Sequence, residues 1–131
     1  MRTLLILSSI FFATSSFAAF GSVQEEKEVV VSVSDALVPS SVKANTENVR
    51  AVISGMFPNG CYRYNRSDVQ TDSKNNISEV KTYATVSQGM CLMVLVPFTK
   101  EVQLGTFDKG MHKVRFINGD GTYMEKQFTA E

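Results

Sequence analysis

ISEVKTYATV, residues Ile77–Val86, is the stretch on which the fold turns. Val80, Thr82, Ala84 and Val86 alternate with Glu79, Lys81, Tyr83 and Thr85. A period of two puts these sets on opposite faces of a pleated strand, one buried and one wet. A parallel sheet covered on both faces would read as a continuous apolar run, so the alternation predicts an antiparallel sheet.

Working outward, Lys74-Asn75-Asn76 marks a turn before this strand, and Ser87-Gln88-Gly89 breaks the pattern after it. CLMVLVPFTKEVQLG, residues 91–105, is a long apolar run punctuated by Pro97, which predicts two strand pieces across a bend. Asp108-Lys109-Gly110 turns the chain into MHKVRFIN, where Val114 and Phe116 alternate with Lys113 and Arg115. Asn118-Gly119-Asp120-Gly121 predicts a type I′ hairpin turn into a closing strand, TYMEKQF.

Toward the N-terminus, Pro58-Asn59-Gly60 is turn chemistry: proline presets one dihedral, and Asn and Gly tolerate positive φ. A third strand is expected from Cys61. Before the turn, NVRAVISGMF aligns Val49, Ala51, Ile53 and Phe57 on one face, with Gly55 marking a bulge or a close approach. SSVKANTEN, residues 40–48, is polar and turn-like, and KEVVVSVSDALVP gives a first strand, with Val29, Val31 and Val33 at period two, kinking near Pro39. About seven short strands and no helical window predict an all-β, immunoglobulin-like antiparallel β-sandwich, with a small β-barrel as runner-up.

The first residues, MRTLLILSSIFFATSSFAAF, carry Arg2 as their only charge and have the layout of a cleavable secretory signal. Small residues Ser16 and Ala18 place the cut near Ala18. The expected organisation is a signal peptide over 1–18, a flexible lead-in over 19–27 and one sandwich domain over 28–131. The apolar core is too short to span a bilayer comfortably, so a secreted or periplasmic protein is expected. Removing 18 of the 131 residues leaves 113, one domain's worth of chain. The whole chain holds 13 basic and 13 acidic residues, an even balance that argues against a nucleic-acid or anionic-membrane binder, which would carry a basic excess.

Two cysteines, Cys61 and Cys91, would meet an oxidising compartment, which makes a disulfide the default reading. Loop closure over that span would contribute roughly 3 to 4 kcal/mol. Two cysteines and the single His112 fall short of the four ligands of structural zinc, and no cofactor is expected. A nucleophilic Cys/His pair with His112 would need a free thiolate, which disulfide pairing removes.

Gly55-x-x-Pro58-x-Gly60-Cys61-Tyr62-Arg63, followed by Cys91, Val96-Pro97-Phe98, Asp108-x-Gly110 and Asn118-Gly119, resembles a set of small secreted bacterial domains of unestablished function. Many of these are lipoproteins, and the resemblance covers roughly residues 50–121. It implies a structural cysteine pair and an immunoglobulin-type fold. Such domains usually carry tyrosine two residues after the glycine of the Asp-x-Gly turn, where this chain has His112. An imidazole there would serve as a corner residue, reaching back to backbone in place of a phenol. The chain also lacks the lipoprotein anchor cysteine, which favours a soluble product.

Other motifs have plain readings. Asn118-Gly119-Asp120-Gly121 lacks the carboxylates of a calcium loop. Glu25, Glu26 and Glu28 read as a solvated lead-in. Asn65-Arg66-Ser67 and Asn76-Ile77-Ser78 match the glycosylation acceptor and could be modified in a eukaryotic secretory pathway, whereas the resemblance to bacterial domains implies a chance match. Tyr62, Tyr64, Tyr83 and Tyr123 are sheet residues or a wet aromatic binding face. The expected function is a non-enzymatic binding or accessory envelope module for a protein or glycan partner, with loops 72–76 and 87–90 as candidate contacts. The alternatives are a small protease inhibitor and, behind it, a Cys/His-dependent enzyme.

Overall fold

The computed structural model describes residues 25–131, all strand, turn and loop. The expected signal peptide, its cut near Ala18 and the lead-in to residue 24 lie outside the described residues. Among the described residues no helix is long and apolar enough to cross a membrane.

Nine strands form two sheets: β1 (Lys27–Val31), β2 (Asp35–Leu37), β3 (Ser41–Val42), β4 (Val49–Phe57), β5 (Tyr62–Asp72), β6 (Ile77–Val86), β7 (Val96–Gly105), β8 (Gly110–Ile117) and β9 (Tyr123–Ala130). The larger sheet has six strands, ordered β1-β6-β8-β9-β3 with β5 on the other edge of β6, and the smaller is β2-β4-β7. The protein is a β-sandwich, and the separate pairing of the two sheets excludes the closed barrel.

Burial follows the alternation where it was clearest. On β4, Val49, Ala51, Ile53 and Phe57 are all buried; on β6 Val80, Thr82 and Ala84 are, joined by Ser78. From β8, Val114 and Phe116 complete the centre of the core.

The expected first strand becomes two, and a third short strand forms at Ser41–Val42, in the segment expected to be turn-like. β1 pairs β6, the chain steps across at 32–34 so that β2 pairs β4, and it steps back past Pro39 so that β3 pairs β9. Gly55 makes the first step possible: a Cβ there would lie 2.6 Å from the Phe98 ring and 2.9 Å from the Ser32 carbonyl oxygen. Gly55 is thus a close approach, and the bulge of β4 falls instead at Val49/Arg50.

Two pairs, β6 with β8 and β3 with β9, are parallel, so the sheet is not purely antiparallel. Connectivity explains the first. β6 runs to one end, β7 returns through the other sheet, and β8 therefore re-enters the larger sheet in the direction of β6. β8 takes only the first half of that edge of β6, opposite residues 77–81, because β1 occupies residues 82–86. Where they meet, the Val33 amide donates to Asn118 Oδ1 at 3.3 Å, and a Cβ on Gly119 would sit 2.7 Å from the Val30 carbonyl oxygen.

Two turns form by other means than expected. At 118–122 the positive φ belongs to Gly121 (87°) and not to Gly119 or Asp120, and the Gly121 amide bonds Asn118 O at 3.0 Å. This is the pattern of a type I turn closed by a left-handed glycine, not type I′. Neither Asn59 nor Gly60 has positive φ. Asn59 instead accepts the Cys61 amide on Oδ1 at 2.9 Å, an Asx turn that carries the chain from one sheet to the other.

Candidate functional site

The candidate site is built at the end of the sandwich where β4 and β6 finish and β1, β5 and β7 begin. The run 91–105, expected as two strand pieces, yields one strand only, beginning at Val96. β7 is the outer strand of the smaller sheet, so Pro97 leaves no ladder bond unmade on its free edge. Residues 87–95 are loop, and their apolar side chains face outward: Leu92 is 76% exposed, Met93 82% and Leu95 65%. Five of the nine large apolar side chains exposed among the described residues fall between Met90 and Leu95.

This loop is fastened at its start and its middle. Cys61 and Cys91 form a disulfide with Cα atoms 5.2 Å apart. The Gly60 amide donates to Leu92 O at 2.8 Å, and the Ser87 amide donates to Cys61 O at 3.0 Å. A Cβ on Gly60 would press on Leu92 Cβ at 3.3 Å, so the glycine of the turn serves close packing against the loop. Cys61 is buried at the strand start, and the loop beyond Cys91 stands out from it.

Beside the loop, the edges of β5 and β7 leave a cleft of about 420 Å³ lined by Phe57, Tyr62, Tyr64, Pro97, Phe98 and Lys100. Phe57 stacks on Phe98 at 4.5 Å and on Tyr62 at 5.9 Å between ring centroids. Lys100 Nζ lies 5.1 Å from the Tyr64 ring centroid, and the Tyr64 hydroxyl bonds Ser67 Oγ at 3.0 Å. The cleft is aromatic in its walls and cationic at its rim.

The four tyrosines do not form one face. Tyr62 and Tyr64 line the cleft, whereas Tyr83 and Tyr123 lie beneath Arg66 and Arg115 at 4.2 and 4.7 Å from guanidinium to ring centroid. Two of the three glutamates expected as solvated lead-in, Glu26 and Glu28, are engaged as well. Glu26 pairs with Arg63 at 2.9 Å, and Glu28 pairs with Arg66.

His112 lies at the opposite end. It is buried between Phe107 and Phe128, with Nε2 2.7 Å from the Asp108 carbonyl oxygen four residues back. Gly110, at φ 137°, supplies the backbone shape that starts this strand. The ring therefore closes a backbone corner. Ten-residue β6 separates that end from the disulfide by about 30 Å at ordinary strand rise, so His112 and the cysteines share no site. Among the described residues no cluster of three His, Cys, Asp or Glu side chains is placed to hold a metal.

Of the loops expected as contacts, 72–76 is a tight turn. The Asn75 amide group donates to Asp72 at 2.7 Å, which holds that carboxyl below its ordinary range, and Asn76 takes φ 54°. Loop 87–90 is the beginning of the larger apolar loop, whose decisive part, Leu92–Leu95, sequence reasoning assigned to a strand. The acceptor asparagines differ in setting: Asn65 lies at the β5 bulge with its amide on Glu28 at 2.7 Å, and Asn76 is exposed in the turn.

A family model for the ORF11 beta-sandwich domain matches residues 51–130. The chain belongs to that family. The matched segment runs from Ala51 in β4 to the end of β9, and so contains both cysteines, the apolar loop, the cleft and His112. No curated protein and no solved structure matches the chain.

Proposed function

We propose that this protein is a secreted or periplasmic, non-enzymatic binding module that presents its disulfide end to a component of the cell envelope. One observation carries the reading: four consecutive apolar side chains, Leu92–Leu95, are exposed on a loop fixed by a disulfide and two backbone hydrogen bonds. Contiguous exposed apolar surface of this kind costs solubility and marks contact sites. Fixing the backbone in advance lowers the entropy lost on binding. The aromatic cleft extends the same surface. The test is a binding screen of the oxidised protein against envelope proteins, glycans, peptidoglycan and lipid, repeated with L92S/L95S. Binding that is indifferent to the double substitution would overturn the assignment.

The exposed loop also favours a second reading, a small protease inhibitor. A disulfide-braced segment with Leu92 and Met93 outward offers apolar side chains to an apolar specificity pocket. Unchanged rates across a panel of secreted proteases with apolar specificity would remove it.

A further inference from the structure

We propose that two copies of this chain join through the free edge of β5, in an antiparallel ladder centred on Val69 that pairs Arg66 of each copy with the partner's Asp72. This surface is distinct from the disulfide end and independent of its role.

Among the described residues five strands pair on one edge only: β1, β2, β3, β5 and β7. The first three are five residues long or shorter, whereas β5 has eleven and β7 ten, so these two present long rows of unpaired backbone N–H and C=O groups. The group that completes such an edge is another extended backbone. β7 is built against it. Pro97 offers no N–H, and the middle of the strand falls at Lys100 and Glu101, so a two-fold pairing there would set lysine against lysine or glutamate against glutamate.

β5 has the opposite character. Its register shifts between Tyr64 and Arg66 and it turns after Asp72, which leaves seven residues in unbroken register, Arg66–Asp72, with Val69 at their midpoint. Arg66, Asp68, Gln70 and Asp72 are exposed on the outer face of the sheet, and Ser67 and Thr71 lie on the other face, bonded to Thr82 and Ser78. A two-fold axis through Val69 sets Arg66 opposite the partner's Asp72, Asp68 opposite the partner's Gln70 and Ser67 opposite the partner's Thr71, each of them twice. Every charge then meets an opposite charge or an amide. Moving the centre to Asp68 would set that carboxylate against itself, and moving it to Gln70 would set Asp68 against the partner's Asp72. Ser67 as centre draws the bulge into the ladder, and Thr71 as centre runs it into the turn. Charge and geometry together select one register, so the edge refuses chance partners and accepts its own copy.

Both charged groups have capacity for the contact. Arg66 uses Nε on Asp68 and Nη1 on Glu28, which leaves Nη2 uncommitted among the described residues. Asp72 accepts one bond on each oxygen, from the Lys74 amide and the Asn75 side chain, and a carboxylate has about four acceptor sites. Since the two β5 strands run in opposite directions, and Cys61 precedes Val69 by eight residues, the two disulfide ends stand about 50 Å apart and face opposite ways.

Sedimentation velocity of the oxidised protein over a concentration series should show a monomer–dimer equilibrium, of micromolar or weaker affinity for an interface this small. R66D sets acid against acid and D72R base against base, so each alone should weaken the dimer at least about tenfold. An equimolar mixture of these two variants, and the double variant R66D/D72R, should each restore it, because the opposed charges are again complementary. In the parent, which needs no substitution, backbone amides within Arg66–Asp72 should exchange with deuterium more slowly as protein concentration rises. A parent that stays monomeric at about 1 mM would overturn the inference. So would a dimer indifferent to both single reversals, or a dimer in which exchange along β5 is unchanged. If L92S/L95S abolishes the dimer, the apolar loop joins the copies and the β5 ladder falls.

Discussion

Removing the disulfide tests how the apolar loop is held. Cys61 and Cys91 are 30 residues apart in sequence, and closing a loop of that length costs the unfolded chain about 3.6 kcal/mol of conformational freedom. In the folded state the Gly60–Leu92 and Ser87–Cys61 hydrogen bonds remain when the sulfurs are gone, so the native end should change little. The loss should therefore appear through the unfolded state. C61A/C91A is the appropriate variant, because a serine would bury an unpaired hydroxyl at position 61. Urea unfolding of the oxidised parent and the variant should show a loss of about 3.6 kcal/mol, or roughly 15 °C in Tm for a domain of this size. The denaturant slope should rise, because an unfolded chain freed of its crosslink exposes more surface. A loss below about 1 kcal/mol with an unchanged slope would refute the reasoning and make the loop self-supporting.

Gly55→Ala puts a methyl group against the Phe98 ring and the Ser32 carbonyl; overpacking of this kind should cost about 1 to 3 kcal/mol in the same unfolding assay. His112→Phe keeps a ring between Phe107 and Phe128 but removes the bond to the Asp108 carbonyl, so about 1 kcal/mol should be lost; no loss would mean that the corner bond contributes nothing. Asp72 and Asp120 both titrate below the usual 3.8, held down first by the side chains of Asn75 and Thr122 respectively. A depressed folded value means that the two turns are intact above about pH 4 and loosen as the pH falls through it. NMR should show the Lys74 and Thr122 amides shifting together with the carboxyls in acid, and D72N and D120N should each abolish one of the two transitions.

The sequence was most readable where burial is one-sided. Val49, Ala51, Ile53 and Phe57, like Val80, Thr82 and Ala84, alternate because one face meets the core and the other meets water. The pairing of Cys61 with Cys91 needed only the count of cysteines. The path of the first strand was not legible, because Val29 to Leu37 keeps its apolar character while changing sheets; an inward position reads the same in either layer. The parallel pairs were hidden for a related reason. Strand direction follows from which sheet the intervening strand occupies, and local residues do not encode that. The turns were found in the right places with the wrong backbone, since Asn59 acts through its side chain and Gly119 through its lack of one.

The apolar loop shows the limit of periodicity most clearly. A continuous run such as Leu92–Val96 carries no face preference, and the usual inference from such a run is a strand covered on both sides. Covering both sides requires a third layer, which a sandwich of six and three strands does not have. The run could be folded inward only by lengthening β7, but β4 ends at Phe57, opposite Val96, and leaves no partner for residues 92–95. The turn at Pro58–Gly60 and the disulfide then hold the unpaired residues outside. What looked like surplus core is surface that the fold has no layer to cover, and that exposed surface is the ground for proposing this end as the contact surface.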